Sequence, residues 1–151
     1  MRETWKTAMV AAGVLATIVA AAAPDMVFEA VYRGDAEFSN EMYNMGVYSV
    51  CGLICCGIAW AAAGLFYYVV NSVRFSRWYH WLSTMGVAVA VSAVGCVSYA
   101  DGVFSAEGYS FGSQLFGFGI AAAVVQASLY TLASFSIRWW SSNCRHTPIP
   151  E

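Results

Sequence analysis

Ionisable side chains are scarce in this chain and missing from most of its length. Four stretches, 8–23, 46–70, 79–99 and 115–137, contain no Asp, Glu, Lys or Arg. With 60% of residues hydrophobic and only 11% charged, the chain is too apolar to be an ordinary soluble domain. A membrane span needs about 20 mainly apolar residues to cross about 30 Å of hydrocarbon. The last three stretches meet that length, and the first does so once Trp5 and Thr7 are placed at the interface. Little chain is left over, which excludes a separate catalytic or nucleic-acid-binding domain. A net charge of −2 offers no basic field for nucleic acid either.

Other absences narrow the class further. Neither 24–45 nor 100–114, the two acidic connections, contains a cysteine, which excludes a disulfide-stapled ectodomain. Cys51, Cys55, Cys56 and Cys96 fall inside spans and Cys144 follows the last one, with no C-x-x-C pair of the kind membrane thiol oxidoreductases use. If spans two and three touch, Cys96 approaches Cys51 and a soft-metal or thiol site becomes conceivable, but small apolar packing is the ordinary role of such residues. No ionisable group lies within a span, which argues against a proton- or cation-coupled transporter. His80 and His146 sit at or beyond span ends, so they do not face each other as haem ligands. No triad, metal-ligand spacing or carboxylate pair is present, and the expectation is a non-enzymatic protein with no catalytic residues, no metal and no cofactor. No internal repeat suggests an inverted-repeat transporter.

The charges that are present alternate by connection. Arg2 and Lys6 precede the first span, Arg74 and Arg77 lie between the second and third, and Arg138 and Arg145 follow the fourth. The other two connections hold Asp25, Glu29, Asp35, Glu37, Glu41, Asp101 and Glu107, with Arg33 the lone base. Lys/Arg excess in short loops marks the cytoplasmic side. The expected fold is therefore all-α: one domain, a bundle of four transmembrane helices with both termini inside. Residues 71–78 form the cytoplasmic turn and 138–151 a cytoplasmic tail containing Pro148 and Pro150. Tryptophan placement agrees: Trp5, Trp78, Trp81, Trp139 and Trp140 fall at the inner boundary and only Trp60 in mid-span, as interfacial belts require. The first stretch also has the layout of a signal peptide. It reads as an uncleaved span, since its removal would leave three.

Local patterning adds detail. In the first outer loop, Val27, Phe28, Val31 and Tyr32 have helical spacing and predict a short amphipathic helix at the outer surface. Ser39 or Asn40 is then a cap for the second span. In the second outer loop, Val103-Phe104-Ser105 and Tyr109-Ser110-Phe111 flank Ala-Glu-Gly as a weak hairpin signal. Small residues spaced four apart recur on all four spans, and Gly52, Gly86, Gly117 and Gly119 stand out as helix-packing positions. Gln126 is the most polar residue at depth. With Ser128, Thr131 and Ser92 it is a candidate for interhelix hydrogen bonding or for lining a pore. Asp35, Glu37 and Glu41 form an acidic outer loop suited to docking a partner, with spacing that matches no cation-binding loop.

These features point to a small polytopic protein of a bacterial inner membrane, acting as a complex subunit or self-assembling scaffold. Its partners would be the lipid bilayer, further copies of itself, or other membrane proteins. An oligomeric ion channel with Gln126 near the path is the alternative, and a membrane immunity protein against a pore-forming toxin is a third.

Overall fold

The computed structural model describes residues 2–149; Met1, Glu151 and the Pro150 of the tail lie outside the described residues. The described chain is all-helical, with no strand among its residues. Helix α1 covers Arg2–Ala22, α2 Pro24–Val31, α3 Ala36–Asn44 and α4 Val47–Gly64. Helix α4 widens into a π-helical turn over Leu65–Val70; α5 then covers Trp78–Ala106 and α6 Gly112–Ile137. Four helical segments are long and apolar enough to cross a membrane: Glu3–Ala22, Val47–Val70, Trp78–Ala106 and Gly112–Trp140.

Helix α6 lies against α5, α4 and α1, and α4 also packs on α5 and α1. The facing stripes explain why. The buried side of α4 is Cys51, Gly52, Cys55, Cys56, Ala59 and Ala63, and that of α6 includes Ala121, Ala122, Val125 and Ala133. Side chains this small let helix backbones approach closely, which is how apolar helices gain contact energy in lipid. At Gly52, a Cβ atom would lie 2.7 Å from the Ala20 carbonyl oxygen and 2.9 Å from Pro24. At Gly13 it would collide with Ser136 Oγ, whose single hydroxyl proton is shared between Leu132 O (2.7 Å) on its own helix and Met9 O (3.0 Å) on α1.

The connections depart from the sequence expectation in two places. Helix α5 runs on to Ala106, so the stretch read as outer loop 100–114 shrinks to 107–111 and contains no hairpin. The cause is apolar burial that continues with helical spacing: Ala100 and Phe104 are buried, and Phe104 packs on Phe38 and Phe111. Gly108, at φ +82°, then closes the helix, with Tyr109 N–H donating back to Phe104 O (2.9 Å). The first connection holds two short helices instead of one. Pro24 opens α2, where its missing N–H costs nothing. Ser39 and Asn40 lie inside α3 and do not cap the second span, whose helix α4 starts after Gly46 with no side-chain cap. The side-chain cap is instead Asp35, whose carboxylate accepts from Phe38 N (2.9 Å) at the start of α3.

Both short helices are pinned by aromatic side chains. Phe28 of α2 is buried between Tyr48 (ring centroids 6.0 Å) and Phe118 (5.2 Å). Phe38 and Met42, four residues apart on α3, are buried as well, while Met26 and Val31 of α2 stay exposed. A substitution pair tests the packing. Gly52→Leu is expected to lower stability by about 1–3 kcal/mol, the usual cost of overfilling a packed site. Gly86→Leu should leave stability unchanged, because a side chain there meets open space. Unfolding in mixed micelles measures both.

Candidate functional site

The polar residues buried between helices converge on Gln126, which is fully buried in α6. With its amide oriented by its neighbours, the nitrogen donates to Ser92 Oγ (3.1 Å) and Cys55 O (3.0 Å), and the oxygen accepts from Ala59 N (3.2 Å). Cys55 O and Ala59 N are four residues apart on α4, so one amide grips one helical turn. Both Gln126 N–H donors are occupied. Ser92 of α5 continues the chain of contacts to Cys55 Sγ (3.2 Å). One step further out, Cys51 Sγ lies 3.8 Å from Cys96 O, and Cys96 Sγ lies 3.8 Å from Cys51 O. Helices α4, α5 and α6 are therefore tied together by the Gln126 amide, the Ser92 hydroxyl and the Cys55 thiol, and the Cys51 and Cys96 thiols add a second α4–α5 contact beside them. Interhelix hydrogen bonds of this kind contribute about 0.6 kcal/mol each in a membrane, and up to about 1.7.

Of the other sequence candidates, some join this arrangement and others do not. Ser92 does. Thr131 donates to its own helix at Ala127 O (2.8 Å) and touches Met85 Sδ (3.9 Å). Ser128 is exposed and donates to Val124 O (2.9 Å) on its own helix. Gly117 lies beneath the Tyr32 ring, and a Cβ at Gly119 would come within 3.0 Å of Val97, but Gly86 faces no neighbour. Cys51 and Cys96 do approach, as helix contact requires. All five cysteines are free and buried, and among the described residues no three His, Cys, Asp or Glu are placed to hold a metal ion.

The acidic trio Asp35, Glu37 and Glu41 also divides. Asp35, although exposed, is engaged within the chain: besides capping α3, it accepts from Gln114 Nε2 (2.5 Å), and its own N–H donates to Gln114 Oε1 (3.0 Å). This reciprocal pair latches the α2–α3 corner to the start of α6. Glu37 is exposed and Glu41 half-buried.

Sequence reasoning missed the most extensive polar structure in the chain. Residues 141–147 fold back onto the turn after α4. Asn71 is the hub: its Oδ1 accepts from Ser141 Oγ (2.9 Å) and Asn143 N (3.0 Å). Its Nδ2 donates to Ser142 Oγ (2.9 Å), and its carbonyl accepts from Asn143 Nδ2 (2.7 Å). Thr147 completes the clasp, accepting at its carbonyl from Tyr67 OH (2.9 Å) and donating to Ser76 O (2.5 Å). Beside it, Arg138 stacks on Trp139 at 4.2 Å. The one available signal was Asn71 itself, which has φ +27° just after an apolar run. Asparagine tolerates that left-handed geometry and commonly ends helices. Burial under the clasp pushes the Cys144 thiol above its usual range.

Comparison with protein-family models, with curated proteins and with solved structures finds no match for this chain.

Two substitutions check these assignments. Gln126→Leu is expected to cost about 1–2 kcal/mol in mixed-micelle unfolding, through loss of its three bonds. Ser128→Ala should cost nothing measurable. Asn71→Gly keeps the backbone conformation while removing the side-chain hub. It should convert Cys144 from slow to rapid maleimide labelling at pH 7. In the parent chain the raised thiol pKa keeps the reactive thiolate scarce, so labelling accelerates only as the pH climbs beyond the ordinary thiol range.

Proposed function

We propose that this is a non-enzymatic, polytopic inner-membrane protein with both termini cytoplasmic, working as a subunit of a membrane complex or as a self-assembling scaffold. The observation that carries the reading is where polarity goes. Gln126, Ser92, Trp60, Thr17 and Ser136 all bond within the chain; Trp60 Nε1, for example, donates to Thr17 Oγ1 (2.9 Å). The outer faces are instead apolar and grooved by small residues. A groove of about 410 Å³ between α5 and α6 is lined by Ala93, Val97, Gly119 and Ala123, with Val94 and Phe116 at its sides. In lipid, helices associate through close packing at small residues, so a groove of this form suits a neighbouring helix.

The orientation is supported by which charges share an end. Lys6 lies over the Trp139 ring (5.9 Å to its centroid), and the tail is bonded to the 71–76 turn. Lys6, Arg74, Arg138 and Arg145 are thereby gathered at one end, and Asp35 meets Gln114 at the other. The α2–α3 corner then lies at the outer leaflet, with Glu37 and Glu41 turned towards a partner. The commitment of both Gln126 donors favours this assembly reading over a conduction path through a single bundle.

The test is the native mass of gently solubilised protein with identification of whatever co-purifies. A particle well above the 16.3 kDa chain, homomeric or mixed, is the expected result; a bare monomer without partners overturns the assembly reading. Orientation is checked separately. Glu37→Cys should react with an impermeant maleimide from outside intact cells, and His146→Cys only after permeabilisation.

A further inference from the structure

Helices α1 and α6 are pressed together at Gly13 and Ser136. Helix α6 then gives way to a 3-10 turn over Arg138–Trp140, and Trp139 and Trp140 of that turn face the first turns of α1. The result is a pocket of about 440 Å³ lined by Glu3, Lys6, Thr7, Val10, Trp139 and Trp140. Its composition is graded. Val10 and the indole faces form an apolar wall, and Glu3 and Lys6 supply a carboxylate and an ammonium 2.9 Å apart at the rim. The ammonium also lies over the Trp139 ring, and Trp140 is two-thirds exposed.

We propose that this pocket binds the headgroup of a zwitterionic phospholipid, one that carries a phosphodiester and an amine cation. The proposal rests on the membrane reading above. The charge pattern selects the ligand. A purely anionic headgroup would gain Lys6 but meet the Glu3 carboxylate, and a cation would meet the reverse. A headgroup bearing both charges pairs with each in turn, phosphate on Lys6 and amine on Glu3. The exposed Trp140 face adds cation–π attraction for the amine. The apolar wall continues along α1, where Val14, Leu15 and Ile18 are exposed, so the acyl chains have a path out of the pocket. Trp and charged residues at this level are the usual company of headgroups.

The experiment uses the full chain in mild detergent, titrated in native mass spectrometry with phosphatidylethanolamine, phosphatidylcholine and phosphatidylglycerol of identical acyl chains. Free glycerophosphorylethanolamine, which keeps the phosphodiester, serves as the chain-less headgroup. One ethanolamine or choline lipid per chain should bind about threefold to fivefold more tightly than the glycerol lipid, the scale of one exposed ion pair. Free glycerophosphorylethanolamine should bind far more weakly than the intact lipid. Lys6→Gln and Glu3→Gln should each abolish the preference while leaving circular dichroism unchanged. Equal binding of all three lipids, or a preference that survives both substitutions, overturns the proposal. A glycerophosphorylethanolamine affinity equal to the lipid's would make the ligand a soluble phosphodiester and overturn the lipid assignment. Flotation of the same protein with vesicles separates the two levels. A chain that floats without headgroup preference sinks only the pocket, whereas one that does not float sinks the membrane reading with it.

Discussion

Once apolar helices lie in hydrocarbon, water no longer drives them together, because lipid tails solvate Leu and Val as well as another helix does. Everything that holds this bundle must therefore come from close contact and from polar groups that find partners inside the chain. The structure meets that constraint in two ways. Small residues on α4 and α6 bring backbones near enough for carbonyl oxygens to be reached, as at Gly52 against Ala20. Polar side chains then use the proximity, as Gln126 does on the buried Cys55–Ala59 turn of α4. Neither device works without the other, since an amide reaches a neighbouring helix's peptide groups only where no bulky side chain intervenes.

The polar groups are distributed in three tiers along the bundle. A reciprocal Asp35–Gln114 pair closes one end, Gln126 with Ser92 and the thiols ties the middle, and the Asn71 clasp closes the other end. Helix α6 or the turn and tail that follow it contribute to every tier. That explains how α6 can be apolar nearly all round and still have a defined rotation: three polar residues that bond outside it, Gln114, Gln126 and Ser136, fix which face meets which neighbour.

The helices were legible because charge exclusion over some twenty residues has few other causes. The start of α4 at Val47 and the end of the π turn at Val70 fall close to the expected span 46–70. The extension of α5 to Ala106 was hidden by Asp101 and Gly102, which look like loop residues although only their exposed side carries them. Helix α3 was missed because its burial rests on just Phe38, Ser39 and Met42, too few for a periodic signal. The partners of Gln126 could be guessed in kind, as hydroxyls and carbonyls of other helices, but no spacing rule says which turn of α4 it meets. The clasp was the least legible part, since a Ser- and Asn-rich tail carries no periodicity and its bonds span about seventy residues of sequence.

That separation sets an order of events during synthesis. The turn after α4 is made long before its capping residues exist: Asn71 waits for Asn143, 72 positions on, and Ser76 waits for Thr147, 71 positions on. In the interval its carbonyls and the Tyr67 hydroxyl are open to water, headgroups or the insertion machinery. Two helices must be threaded and packed before the clasp can close. The clasp is thus a late event by construction, and the end of the bundle it closes is what distinguishes a half-made chain from a finished one.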